Sequence, residues 1–253
     1  MYWQSMSGNT QFAWFTDADN TLWDTDGVFR SAQLRLLEGV EDLGVLRCNE
    51  TDRLAFVRKL DQGIAQKHHR GLRYPVEMLI SGIAHALQNN PIGNAIEIAL
   101  SGRNVLTELN TQTLTDAFHN DLKITPKLRE GVTAGIRELC AHSIPITVVT
   151  EGSKSRIESL LELYQLRNSV TDIIEATKTA ALFSRLRKRH PKKECWMIGD
   201  QADRDIEFAL QAGMQGVLFL GGFLPHWTKD SPNDVYSVNR YDAGVKQMLS
   251  RFP

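Results

Sequence analysis

The stretch Phe12-Ala13-Trp14-Phe15-Thr16-Asp17-Ala18-Asp19-Asn20-Thr21-Leu22-Trp23 decides the reading of this chain. Four apolar residues run without interruption and then stop at a cluster of polar turn formers. A continuous apolar run of this length suits a strand buried on both faces of a parallel sheet, because side chains on either face then meet covering helices. Asp17 and Asp19 fall just past the end of that strand, where open α/β sheets bind their ligands.

Towards the C-terminus, strand and helix patterns alternate from Thr125-Pro126 onward. Helix Lys127–His142 leads to strand Pro145–Val149, and helix Ser153–Leu166 to strand Ser169–Ile174. Helix Thr179–His190 leads to strand Cys195–Ile198, and helix Asp203–Ala212 to strand Gly216–Leu220. This alternation predicts an α/β fold with a doubly wound parallel sheet, which the strand near residue 15 joins. From Val28 to about Asn120 the apolar residues recur at helical spacing and no strand pattern stands out. Val28, Phe29, Ala32, Leu36, Leu37, Val40 and Leu43 mark one helix; Leu54, Val57, Leu60 and Ile64 mark another, capped by Asn49 or Thr51. Pro75 opens a third at its first position, Asn89-Asn90-Pro91 ends it, and Ile96–Leu109 reads as a fourth. The expected organisation is an α/β core over 11–26 and 123–253, with an inserted α-helical domain over 27–122.

Composition narrows the function classes. Of 253 residues, 42% are hydrophobic and 23% charged, the balance of an ordinary globular protein. The formal net charge is -1, from 29 basic and 30 acidic residues, so no global field draws the chain to nucleic acid or an anionic membrane. Cys48, Cys140 and Cys195 form no CxxC pair and no disulfide framework, which fits a reducing cytoplasm. Residues 1–10 are polar and read as a loose leader without the apolar core of a signal peptide. No run approaches the about 18 apolar residues of a membrane span.

Four polar clusters sit where successive strands end: Asp17-Ala-Asp19, Thr150-Glu151-Gly152-Ser153, Lys178, and Gly199-Asp200 with Asp205 beyond. Clustered carboxylates without histidine or cysteine select a hard, oxygen-loving cation, for which Mg²⁺ is the natural choice. Thr150 and the backbone N–H groups of Glu151 and Gly152 would cradle a phosphoryl group, and Lys178 would add a point charge for the same anion. Asp17 is then placed to attack phosphorus and form an aspartyl phosphate. Asp19, two residues on, is placed to protonate the leaving oxygen and later to deprotonate a water.

In these four segments the chain resembles the haloacid dehalogenase superfamily. FTDADNTLW is similar to its first motif, a hydrophobic strand followed by DxDxT, and ITVVTEGS to its second. The lysine of ATKTAALF is similar to the third, and WMIGDQADRDIEFALQAG to the fourth, GDxxxxD with a helix and AG beyond. The resemblance implies a Rossmann-like core with a C1-type helical cap, and a phosphatase acting on a small phosphorylated metabolite. It implies Asp17 as nucleophile, Asp19 as acid/base, Thr150 as phosphate binder and Lys178 as charge neutraliser. It also implies Mg²⁺ held by Asp17, the Asp19 backbone carbonyl and Asp200, with Asp205 supporting the lysine or the metal shell. Two departures stand out: Asn20 replaces the commoner glycine, which Asn's tolerance of left-handed backbone permits, and Lys178-Thr179 replaces the frequent Lys-Pro pair.

Plainer readings stand beside these. Asp17 and Asp19 also suit a turn after a strand, Thr150, Ser153 and Asp203 suit helix caps, and Asp205 suits a first-turn acid. Lys178 suits a solvated helix start, although a helix N-terminus disfavours a cation and so asks for an anion nearby. His68-His69-Arg70 reads as a solvated loop or a second anion site, Trp23 as packing or crevice lining, and Gly221-Gly222 as a loop without chemistry. At the level of function, a phosphomutase on the same core and a catalytically silent binding or regulatory module are the alternatives. The oligomeric state is not legible.

Overall fold

A computed structural model describes residues 11–44, 46–222 and 235–251 of the chain; the leader read over residues 1–10, and Phe223, lie outside the described residues. Six parallel strands make one sheet: β1 (Phe12–Thr16), β2 (Ile146–Thr150), β3 (Asp172–Glu175), β4 (Glu194–Gly199), β5 (Gln215–Phe219) and β6 (Tyr236–Val238), in the order β3-β2-β1-β4-β5-β6. From β1 the chain steps one way through β2 to β3, then returns past β1 to β4 and onward. β1 therefore lies at the point where the strand order reverses, which opens a crevice beyond its carboxyl end.

Burial follows position in the sheet. β1, flanked by β2 and β4, is buried at all five residues, whereas edge strand β3 is buried only at Ile173. Phe12 and Trp14 join the core on one face with Ile146, Val148 and Ile198. Helices α6 (Val132–Ala141), α7 (Lys154–Leu163) and α10 (Tyr241–Leu249) cover this face through Ile136, Leu161 and Val245. Ala13 and Phe15 face the other way, against Phe183 of α8 (Ala180–Lys188) and Ala209 of α9 (Glu207–Gln211). Trp14 donates its indole N–H to the hydroxyl of fully buried Tyr241 at 2.8 Å, tying the first strand to the last helix.

The chain divides into two compact units, Asp26–Thr125 and the remainder. The first holds five helices: α1 (Thr25–Asp42, entered from the other unit), α2 (Arg53–Lys67), α3 (Val76–Leu87), α4 (Ile92–Leu100) and α5 (Glu108–Asp121). It has its own core, in which Leu37, Leu60, Ile64, Ile80 and Ile83 are buried. No described helix is long and apolar enough to cross a membrane, and all three cysteines are free thiols.

Several elements depart from the pattern reading. The helix expected over Ile96–Leu109 is two, because Gly102 takes a left-handed backbone (φ 75°) that ends the first, and Thr107 caps the second. The cap of α2 is Asp52, whose side chain accepts from Ala55 N, and not Asn49 or Thr51. Pro75 caps α3 instead of opening it. α6 begins five residues later than expected, after left-handed Gly131 (φ 83°), where an added Cβ would lie 2.8 Å from Asp242 N. β3 begins later than Ser169, behind a 3₁₀ turn over Arg167–Ser169. The helix expected from Asp203 opens as a π turn, Ala202–Ile206, before α9. Helix α10 and strand β6 had no expectation.

Candidate active site

The site forms beyond the carboxyl ends of β1, β2 and β4. Asp17 directly follows β1, and its N–H donates to Ile198 O of β4 at 2.9 Å, so the neighbouring strand fixes its backbone. Asn20 adopts φ 63°, the left-handed turn that brings the following residues back over the strand end. From there Thr21 Oγ1 donates to Asp17 Oδ2 at 3.1 Å.

Lys178 sits just ahead of Thr179, the N-cap of α8, with its ammonium buried between two carboxylates. It is ion-paired with Asp17 Oδ1, and lies 2.5 Å from Asp205 Oδ1. Burial alone would push the ammonium's pKa down; Asp17 and Asp205 reverse that and raise it above its ordinary value. Asp205 is carried into place by the π turn, where its Oδ2 accepts Gln201 N–H at 3.0 Å. A Cβ on Gly199 would come within 2.4 Å of the Asp205 carboxyl carbon, so the glycine lets this carboxylate reach the strand end.

Asp200 completes the group. Carboxylate oxygens of Asp17, Asp200 and Asp205 lie within 4.8 Å of one another, all buried. Among the described residues no donor reaches either Asp200 oxygen in hydrogen-bonding geometry, although the Asn20 side chain draws its pKa down slightly. Burial, then the charges of Asp17 and Asp205, push the Asp200 pKa well above the carboxylate range. Asp17 is raised to about 7, by burial first, which outweighs the lowering by Lys178, with Asp205 adding to the rise. Three buried carboxylates thus share one ammonium, and two of their oxygens are orphaned. That is an electrostatic deficit a hard divalent cation fits, because it takes oxygen ligands and supplies the missing positive charge.

The phosphate-binding expectation meets a more constrained loop. Thr150 is buried at the end of β2, where its Oγ1 accepts Gly152 N–H at 2.9 Å. The Gly152 N–H expected to face an anion is thus donated within the loop. Glu151, expected to contribute through its backbone, uses its carboxylate: Oε1 accepts Lys178 N–H at 3.0 Å, and Oε2 pairs with Arg204 Nη1 at 2.6 Å. It straps together the loops after β2, β3 and β4.

Asp19 stands apart from the carboxylate group. Its Oδ1 accepts three hydrogen bonds: from Trp23 Nε1 at 3.0 Å, Thr25 Oγ1 at 2.6 Å and Arg156 Nη1 at 2.8 Å. Partial burial would raise its pKa, but Arg156 and these bonds hold it below the ordinary value. The ligand implied for Asp19 is its backbone carbonyl, so the orientation of its carboxylate does not bear on that role. Trp23 is fully buried, bridging Asp19 and Leu128, and so does not line a crevice.

The sequence carries no sign of Thr25 and offers Arg156 only as a substitute for Lys178; Thr21 enters only within DxDxT, and Gly221-Gly222 reads as a loop without chemistry. A Cβ on Gly222 would lie 2.4 Å from Asp200 Oδ2, so the Gly221-Gly222 loop closes directly onto that carboxylate. A glycine pair just past a strand's carboxyl end was the available signal. His68 and His69 stack on each other at 4.3 Å in the turn after α2, in the helical unit.

Comparison with known proteins shows what this fold is similar to. Residues 174–238 match the family model described as HAD-hydrolase-like, while no curated protein matches the chain. A haloacid dehalogenase-like family hydrolase from Xanthomonas campestris shares the fold, with a TM-score of 0.63 and 15% identity over 95% of each chain. A predicted phosphoglycolate phosphatase from Haemophilus somnus 129pt does so with a TM-score of 0.58 and 17% identity, over 95% of this chain and 99% of that one. The HAD-hydrolase YfnB from Bacillus subtilis, bound to magnesium, has a TM-score of 0.58 and 18% identity, with the same coverage. The chain thus has the fold of these haloacid dehalogenase-like hydrolases, and its residues 174–238 are similar to the HAD-hydrolase-like family model. At identities of 15–18% the likeness carries the fold alone.

Proposed function

We propose that this hydrolase is a Mg²⁺-dependent phosphatase, which removes the phosphoryl group of a small phosphorylated metabolite through an aspartyl phosphate on Asp17. The observation that carries the reading is the buried Asp17–Lys178–Asp205 chain beside orphaned Asp200, at the strand-order reversal. Asp17, the Asp19 carbonyl and Asp200 would hold the ion, with Asp205 fixing Lys178. Bound there, Mg²⁺ would draw off negative charge from the transferring group.

In the first step Asp17 attacks phosphorus, and the phosphorus–oxygen bond to the leaving group breaks as Asp19 gives that oxygen a proton. In the second, water attacks the aspartyl phosphate, its proton passes to Asp19, and Asp17 is regenerated as inorganic phosphate leaves. Thr150, already an acceptor from Gly152, keeps its own O–H to donate to a phosphoryl oxygen. Lys178 offsets charge on the same group. The helical unit, inserted between Thr25 and Pro126, serves as the cap that chooses the substrate. A reducing cytoplasm suits the three free thiols.

Phosphate release from a panel of phosphorylated metabolites, with and without Mg²⁺, tests the reading. We expect turnover that chelation abolishes and Mg²⁺ restores. Asp17→Asn should eliminate it with the circular dichroism spectrum unchanged, since the amide is nearly isosteric but a poor nucleophile. Full turnover after exhaustive chelation, or an Asp17→Asn variant within a few-fold of wild type, would refute it.

A further inference from the structure

Three donors converge on Asp19, all on one oxygen. Trp23 Nε1, Thr25 Oγ1 and Arg156 Nη1 approach Oδ1 at 3.0, 2.6 and 2.8 Å. The other oxygen, Oδ2, lies over the floor of the phosphate loop: a Cβ on Gly152 would stand 3.1 Å from it and 3.3 Å from Thr150 Oγ1. The two oxygens of this carboxylate are therefore not equivalent. A carboxylate fixed through one oxygen loses its freedom to rotate, and its second oxygen keeps a set direction.

We propose that Arg156 and Trp23 are positioning residues that fix the Asp19 carboxylate through Oδ1, so that Oδ2 is the oxygen that exchanges the proton. The inference rests on the phosphatase reading and deepens it. As the bond from Asp17 to phosphorus forms and the ester bond breaks, the proton leaves Asp19 Oδ2 for the departing oxygen, and the alcohol is released. When water attacks the aspartyl phosphate, Oδ2 takes its proton back and inorganic phosphate departs. Arg156, in the first turn of α7 and 43% exposed, does this from the helix that follows β2. Trp23 acts from a fully buried position whose ring cannot turn. Glycine at 152 has a reason in the same geometry, because a side chain there would crowd Oδ2 against Thr150.

A series of aryl phosphates separates positioning of the acid from general structural support. 4-Nitrophenolate leaves without help, whereas phenolate needs its proton, so a misplaced acid costs more as the leaving group becomes more basic. For Arg156→Gln we expect the fall in kcat/KM to be roughly tenfold greater with phenyl phosphate than with 4-nitrophenyl phosphate, a fraction of the 10²–10⁴ of general acid catalysis. Arg156→Lys, which retains a donor, should recover part of the phenyl phosphate rate. Trp23→Phe should steepen the dependence in the same sense; should it fail to fold, exposed Arg156 still decides the matter. An equal loss across the series, or none, overturns the proposal and leaves the phosphatase reading standing. If the wild-type protein releases phosphate from no member of the series, the phosphatase reading falls and the proposal with it.

Discussion

Lys178 is the residue on which the electrostatics of the site turn. Its ammonium is buried with a carboxylate on either side, so removing it leaves Asp17 and Asp205 facing each other without a cation. Lys178→Ala should lower kcat by about 10²–10³, the scale of one preorganised charge donor. The loss should appear in kcat as well as in KM, because negative charge moves during transfer; steady-state kinetics with saturating Mg²⁺ would show it. Near-normal kinetics would assign the role to another basic group. Arg156 is occupied by Asp19 and Arg204 by Glu151, which makes either a poor replacement. Among residues, the convergence of Asp17, Asp200, Asp205 and Lys178 was expected from the strand ends at which they fall, whereas Asp19 stands apart from them. The pairing of Arg156 with Asp19 was not legible, because an arginine in a helix's first turn looks like any solvated charge until its partner on another strand end is known.

At the scale of elements, Glu41 shows how a loop is held. It lies in the last turn of α1, 3% exposed, where Arg53 donates from both terminal nitrogens at 2.9 Å and Cys48 N–H donates at 2.8 Å. Arg53 comes first among the causes that hold its pKa down at about 2. A carboxyl depressed in the folded state contributes stability that is complete above its unfolded value of 4.5 and fades as pH falls from there towards 2. Wild-type protein should therefore lose melting temperature across that window. Glu41→Gln should begin about 2 kcal/mol less stable at neutral pH, the scale of a charge-assisted hydrogen bond, and show a shallower acid dependence; thermal melts from pH 2 to 7 check both. A variant with wild-type acid dependence would show that other groups set it. Strands β1, β2, β4 and β5 were legible because each is a nearly unbroken apolar run. The division of Ile96–Leu109 was not, since hydrophobic period carries across Gly102 and a left-handed residue leaves no mark on it.

At the scale of the molecule, the sheet gathers more negative charge than it neutralises, and it does so in its interior. Among the described residues, Asp200 is the member of the group with neither an ion pair nor a donor in good hydrogen-bonding geometry, so it is the natural place to relieve the deficit. At pH above the raised Asp200 pKa, Asp200→Asn should raise the melting temperature of the metal-free protein, because there the wild type carries an unpaired buried carboxylate, which costs several kcal/mol. The same change should shrink the rise in melting temperature that Mg²⁺ produces, since binding to the folded state stabilises it in proportion to affinity. Differential scanning calorimetry in chelator and in excess Mg²⁺ measures both effects. A variant less stable without metal, or one with an undiminished response, would remove Asp200 from the site.

The sequence by itself determined the α/β class, the parallel sheet and the strand ends at which Asp17, Thr150, Lys178 and Asp200 fall, because apolar periodicity and the polar stops that end it are local properties of the chain. Only the tertiary structure decided which partner each side chain takes. Lys178 lies between Asp17 and Asp205, Asp19 is turned to Arg156, and Glu151 straps three loops through its carboxylate rather than through its backbone. Those pairings join residues from 27 to 161 positions apart, among them Glu151 with Lys178 and Asp17 with Lys178. They follow from strand order, which has no local signature in the chain, and from the clearance that Gly152, Gly199 and Gly222 leave at the strand ends, where a glycine marks the place but not the side chain that fills it.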